Sequence, residues 1–220
     1  MKFLYTLGIV VIFLNSFDGF SKAPEKAPIS EAKINILSQT INPVLLQLAL
    51  KGYSNIKNST SEKSNFLAIV DFSRSSAEKR FYLISMKDTT LVHSDYVSHG
   101  KHSGNLYANS FSNEEQSLKT SLGFYKVAES YSGCHGLSIR LDGLDKGYND
   151  NARNRAIVMH AAAYAEPMVI KELGRLGKSF GCPTLPSDGF FYVVNHIKEN
   201  AILFHYYPDE IYLKNCVWLR

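Results

Sequence analysis

The 220-residue chain has only three cysteines, Cys134, Cys182 and Cys216, and a single tryptophan. So few thiols cannot form a disulfide framework, so a hydrophobic core must hold the fold, and the odd count leaves at least one thiol free. A Cys134–Cys216 bridge would leave Cys182 free, but spacing alone does not decide the pairing. Neither a CxxC pair nor a HExxH helix occurs, which removes the common zinc motifs, and no metal or cofactor is expected. Strong charge is missing too. The formal net charge of +4 is spread along the chain and forms no basic stripe of the kind a nucleic-acid partner requires. There is no internal repeat and no low-complexity tract. The amino-terminal apolar run from Phe3 to Leu14 is shorter than the about 20 residues a membrane-spanning helix needs.

One lysine followed by that run is the layout of a secretory signal peptide, expected over residues 1–22. The mature start falls near residues 20–24, and an uncleaved anchor is the alternative. The segment has no cysteine, which excludes an acyl anchor on a new amino terminus. Export across the inner membrane to a periplasm or cell envelope is expected, with no stable membrane span after cleavage.

A composition 45% hydrophobic and 12% aromatic suffices for one core-forming domain. Residues 23–63 read as a linker and a helical segment. Ser30 can cap a first helix, and Asn42-Pro43 starts a second one, for which Gly52 after Lys51 is the expected stop. From residue 64 to 215 the texture changes to short stretches with β character: FLAIVDFS, RFYLISM, LVHSDYVSHG, SLGFYKVAESY, LSIRLDGL, AIVMHA and AILFHYY. One late helix, from about Phe190 to Lys198, has Ser187 and Asp188 available to cap it. The expected fold is mainly β and mostly antiparallel, a sandwich or barrel with an N-terminal helix and one packed late helix.

The chemistry concentrates between Ala156 and Pro186. His160 ends a β-like apolar segment, and Cys182 follows in a loop with Gly177, Ser179 and Gly181. The thiolate is the attacking form of cysteine and an imidazole can take its proton, so a loop that joins the two makes an acyl-transfer pair. Gly181 permits a sharp turn that could aim N–H groups at a tetrahedral oxyanion. The competing motif is Ser132-Gly133-Cys134-His135-Gly136. Adjacent strand residues point to opposite faces, so Cys134 and His135 pair only if they lie in a turn, and Cys134 reads as a half-buried thiol or disulfide partner.

The segment from Arg175 through Ser179, Gly181, Cys182 and Pro183, preceded by His160, resembles the active-site segment of the murein L,D-transpeptidase family. Further blocks in the same order carry the resemblance over about residues 64–213. They are Asp71-Phe72-Ser73 before Arg80, Val97-Ser98-His99-Gly100 with Ser103-Gly104, Phe111-Ser112-Asn113, Ser121 to Tyr125, and Asn151-Ala152-Arg153 with Arg155. The closest likeness is to a variant with an aromatic residue, here Phe180, before Gly-Cys. The resemblance implies an L,D-transpeptidase-like β-sandwich or barrel acting on peptidoglycan stem peptides, with Cys182 as nucleophile and His160 as base. It further implies oxyanion donors from Gly181 and the Cys182 backbone, and an imidazole oriented by the carbonyl around Ser179.

Two departures from the commoner pattern matter. Phe180 stands where a second histidine is usual, and Pro183-Thr184 stand where an arginine or asparagine is usual, which leaves the substrate carboxylate without its contact. Arg175 or Arg155 could supply that contact, or could serve as fold-supporting ion partners. His99 is expected either to line the cleft or to serve in loop hydrogen bonding, and Tyr125 either to edge the groove or to pack as a buried ring, while His102 has no assigned role. Hydrolysis of the same thioester (an L,D-carboxypeptidase) and non-catalytic peptidoglycan binding are the competing functions. Oligomeric state is not legible.

Overall fold

A computed structural model describes residues 31–60, 65–197 and 200–220. The expected leader, its cleavage site and the Ser30 cap lie outside the described residues. Eight strands follow in chain order: β1 (Phe66–Asp71), β2 (Phe81–Ser85), β3 (Thr90–Asp95), β4 (Gly123–Gly133), β5 (Gly136–Gly143), β6 (Val158–Ala161), β7 (Thr184–Leu185) and β8 (Ile202–Tyr206). They make one sheet in the order β3-β2-β1-β8-β4-β5-β6-β7. The β1/β8 and β6/β7 pairs are parallel and the rest antiparallel.

The sheet nearly closes on itself. The chain leaving the edge strand β3 returns to the opposite edge, where Ser98 N–H donates to the carbonyl of Thr184 in β7 at 2.8 Å. This use of the edges satisfies backbone groups that an open sheet would leave exposed. It also brings the 97–104 loop beside the segment that carries Cys182.

Both faces of the sheet are buried, which is why its central strands read as continuous apolar runs rather than alternating ones. In β1, Ala68 and Val70 point to one core with Phe81, Leu83, Tyr125 and Leu203. Leu67 and Ile69 point to the other, with Tyr82, Ile84, Phe124 and Phe204. Helix α4 (Ser187–His196) adds Phe190 and Val193 to the first core. The second is roofed by α1 (Glu31–Leu37) and α2 (Pro43–Ser59), with α5 (Glu210–Asn215) contributing Tyr212. Leu45, Leu46 and Ala49 of α2 are fully buried, and each leucine so placed contributes about 1.5–3 kcal/mol.

Asn42 caps α2 as expected, its side-chain oxygen accepting from Val44 and Leu45 N–H at 2.9 and 3.2 Å. Gly52 does not end the helix; α2 runs on to Ser59. The glycine is there because the helix lies directly on the Phe124 ring, one carbon of which would stand 2.0 Å from a Cβ at position 52. Phe124 cannot easily retreat, being stacked on Phe204 with ring centroids 4.1 Å apart. Gly52→Ala therefore gains about 1 kcal/mol of helix propensity but forces an overpacked contact costing about 1–3 kcal/mol. The expected result is a melting temperature lowered by a few degrees, read by circular dichroism.

The late helix spans Ser187–His196 with Pro186 at its N-cap and no side-chain cap. The Ser187 N–H donates instead to Glu166 Oε1 at 2.8 Å, a tertiary cap that displaces the expected local ones. Two short helices add to those expected, α3 (Pro167–Leu173) and α5. All three cysteines are free, with Cys134 exposed and Cys216 buried. Cys216 is engaged by the Tyr212 hydroxyl at 3.3 Å and by Asp145 at 3.2 Å, so the Cys134–Cys216 bridge is not formed.

Candidate active site

Strand β6, Val-Met-His-Ala, buries Met159 in the core and turns His160 to the opposite face, as alternation demands. Its parallel neighbour β7 pairs Thr184 with His160 and Leu185 with Ala161. Two residues before Thr184 comes Cys182, and two before His160 comes Val158, so the register sets the cysteine beside Val158. There the Val158 N–H donates to Cys182 Sγ at 3.5 Å, and the thiol faces the Ala156 carbonyl at 3.9 Å. The step along the strand from Val158 to His160 is roughly 7 Å. Thiol and imidazole thus share one edge of the sheet, but among the described residues they form no hydrogen bond with each other.

The imidazole is held on several sides. Nδ1 lies 3.0 Å from the Ala161 carbonyl, which can only accept, so Nδ1 carries the proton and Nε2 presents its lone pair. The Thr184 hydroxyl meets Nε2 at 3.2 Å, and the Tyr164 hydroxyl meets Thr184 Oγ1 at 3.0 Å. The Tyr164 ring stands edge-on at 6.5 Å, and the His135 ring stacks on the imidazole at 4.3 Å with 18° between planes. His160 is only 1% exposed.

Burial pulls the His160 pKa below its ordinary value, against the Ala161 carbonyl, which pulls it up. Burial also pushes the Cys182 thiol up, opposed by the Val158 N–H and by the charge of nearby Arg155. The resting site therefore holds a neutral thiol and an unprotonated base, not a thiolate–imidazolium pair. An imidazole free of its proton is the form that can accept one.

The loop leading to the cysteine is pinned throughout. Gly181 has φ +126°, and a Cβ there would meet the Lys119 carbonyl at 2.8 Å and Ile157 at 2.9 Å, so no other residue fits. Ser179 Oγ accepts from the Gly181 N–H at 3.1 Å and donates to the Cys182 carbonyl at 2.7 Å. The Ser179 N–H donates to the His99 carbonyl at 3.0 Å, and its own carbonyl accepts from Lys101 at 2.8 Å. Phe180 is 67% exposed, with Lys101 Nζ 5.2 Å above its ring.

Several expected roles are corrected by this geometry. The Ser179 carbonyl faces Lys101, so Ala161 and Thr184 orient the imidazole, and Ser179 acts through its hydroxyl as the staple of the loop. The Gly181 N–H is engaged by that hydroxyl and is not a free oxyanion donor in this state. His99 does not line a cleft; it is buried, with Nδ1 2.9 Å from the Arg80 guanidinium. Burial, then the charge of Arg80, pushes its pKa down to about 3. Tyr125 is wholly buried and its hydroxyl is tied to Ser121 at 2.7 Å, so it edges no groove.

The two arginines divide. Arg155 donates to the carbonyls of Ser112 and Lys119 at 2.8 and 2.5 Å and to the hydroxyls of Ser121 and Ser117 at 3.1 and 3.3 Å. That set locks the 112–121 loop against the cysteine loop and spends the guanidinium on structure, leaving its charge to act on the thiol. Arg175 is partly exposed, with one donor on the Leu176 carbonyl at 2.8 Å.

Three residues to which the sequence gave no role in the site complete it: Thr184, Tyr164 and His135. Thr184 and Tyr164 carry no motif. His135 lay in a conspicuous glycine-flanked motif, but its position depended on a turn that only the fold reveals. Among the described residues no group of His, Cys, Asp and Glu is arranged to hold a metal ion, and no helix is long and apolar enough to cross a membrane.

The L,D-transpeptidase catalytic domain family matches residues 37–206. Among solved structures, the chain is similar to an L,D-transpeptidase from Mycobacterium smegmatis (13% identity, TM-score 0.40, covering 65% of this chain and 59% of that one). It is likewise similar to one from Mycobacterium tuberculosis (15%, 0.43, 65% and 58%) and one from Xylanimonas cellulosilytica (13%, 0.37, 67% and 63%). The chain thus spans about six tenths of the length of these proteins. None of the curated proteins compared matches it.

Proposed function

The chain belongs to the L,D-transpeptidase catalytic domain family, and from that premise we propose that it is a peptidoglycan L,D-transpeptidase acting through a thioester on Cys182. The observation that carries this reading is the β6/β7 register, which sets Cys182 and His160 on one sheet edge, with the cysteine partly exposed and the base deprotonated. Catalytic hydrogen bonds are often long in unliganded sites and tighten on binding. Here Nε2 exchanges the Thr184 hydroxyl for the thiol proton when substrate is seated.

Sulfur then attacks the carbonyl that joins the third stem residue to its terminal D-amino acid. The S–C bond forms, the C–N bond breaks, and the imidazolium returns its proton to the leaving amine. An acceptor amine attacks the thioester in the second half-reaction, giving up a proton through His160 and restoring the thiol. Of the two candidate arginines, Arg175 is the one assigned to the substrate carboxylate in this reading, since Arg155 is committed to four protein acceptors. The leader-like sequence at residues 1–22 supports action in the periplasm or cell envelope, where such stems lie.

The test is incubation of the purified protein with disaccharide-tetrapeptide and mass analysis of the products. Crosslinked dimers are expected. Tripeptide alone would make water the acceptor and the protein an L,D-carboxypeptidase. Unchanged substrate, with retained binding to peptidoglycan, would replace the enzyme by a binding module.

A further inference from the structure

The hairpin joining β4 to β5 ends in a turn where Cys134 and His135 link Gly133 to Gly136, which face each other across the two strands. A β-bulge between Val127 and Ser130 interrupts the ladder, and bulges of this kind bend a strand. The hairpin tip lies over β6, with Ser138 of β5 paired to His160 itself. There the His135 ring lies face to face with the ring of His160, 4.3 Å away. Cys134, beside it, is close enough to be felt electrostatically at Cys182.

This stack is not a by-product of core packing. Residues 134–137 are all exposed, so the tip is free of the packing that dictates ring contacts inside a protein. His160, in contrast, is almost wholly covered, and His135 is one of the groups covering it. An exposed, otherwise unconstrained side chain that rests flat on the base of an acyl-transfer pair has a role to play on that base.

We propose that His135 is a positioning residue for the acyl-transfer reaction: its ring holds His160 in plane by stacking and closes it from water. The inference rests on the transpeptidase reading for its consequence, not for its geometry. Two effects act on His160 in the same direction. The cover deprives the imidazolium of solvation, and any charge on His135 opposes a second charge beside it. The other groups around the ring do not substitute for this. Tyr164 and Cys182 are both pushed up by burial and stay protonated, and Thr184 does not titrate.

The test compares the full wild-type chain with His135→Ala and His135→Phe. Ring proton resonances of histidine are followed against pH by NMR, the His160 signal being assigned by its loss in His160→Gln. Removing the ring in His135→Ala raises the His160 midpoint by exposing it and removing a like charge. His135→Phe keeps the cover and loses only the charge, so its midpoint rises less. Acylation of Cys182 by a carbapenem slows about 10-fold in His135→Ala, part of the ~10²–10⁴ a general base supplies, and stays within about 3-fold of wild type in His135→Phe.

An identical His160 midpoint in all three proteins would overturn the proposal, as would equal slowing by alanine and phenylalanine. Failure of the underlying functional reading looks different. In that case Cys182 of the wild type remains unlabelled while the His160 midpoint still follows the residue at position 135.

Discussion

Replacing Cys182 with alanine is expected to abolish covalent labelling by a carbapenem and to reduce product formation from disaccharide-tetrapeptide to background. The strained lactam presents the same electrophilic carbonyl as the acyl donor, and only a thiol able to lose its proton can open it. Neither other cysteine can take over. Cys216 is buried and bonded to Tyr212 and Asp145, and its pKa is pushed up to about 12 by burial, then by the charge of Asp145. Cys134 is exposed at a hairpin tip, with no imidazole hydrogen-bonded to it among the described residues. Intact-mass spectrometry of both proteins after incubation decides the matter, and equal labelling of wild type and variant would remove Cys182 from the mechanism.

His160→Gln is expected to slow acylation of Cys182 by ~10²–10⁴, the range general-base assistance supplies. Glutamine preserves hydrogen bonding to Thr184 but cannot carry a proton away. The pH dependence separates this from a packing defect. In the wild type His160 titrates below its ordinary value of 6.5, so the acylation rate falls with acid only once pH drops through that lowered midpoint. The variant lacks that limb. Burial holds the resting thiol above the ordinary cysteine range, so unassisted alkylation by iodoacetamide is slow at neutral pH and climbs as pH rises through the alkaline range. Stopped-flow or quenched labelling across pH measures both. Rapid alkylation of the resting enzyme near pH 6 would mean a preformed thiolate–imidazolium pair and would contradict the neutral pair described here.

How far the site was legible depended on which residues were constrained locally. The central strands were readable because they carry enough apolar surface to fill two cores, as β1 shows with an unbroken run from Phe66 to Val70, whereas the two-residue β7 was not. Helix α3 was not, because it is only seven residues long and its consecutive Met168-Val169-Ile170 gives no helical period, none of these residues being buried. Gly52 misled as a helix stop because its reason is the Phe124 ring of a strand far along the chain. Gly181 was legible as a turn glycine, since φ is a local property, but the engagement of its N–H by Ser179 was not.

His99 and Tyr125 show the opposite failure. Both sit in blocks that resemble the family, and for both the sequence left a place at the substrate open beside a structural one. The fold places them inside the protein, His99 on a buried arginine and Tyr125 beneath Ser121, where they hold the walls of the site and cannot meet a ligand.

Amino-acid order by itself determined the mainly β core and the capped helix before it, because side-chain volume and backbone freedom belong to single residues or short stretches, and it singled out Cys182 and His160 as the candidate pair through an ordered set of motifs. Only tertiary structure decided that Thr184 faces the base, that His135 covers it and that Arg155 is spent on the scaffold. Those assignments follow from a parallel register, a bent hairpin and a closed sheet, and each joins segments whose separation along the chain leaves no local pattern to read.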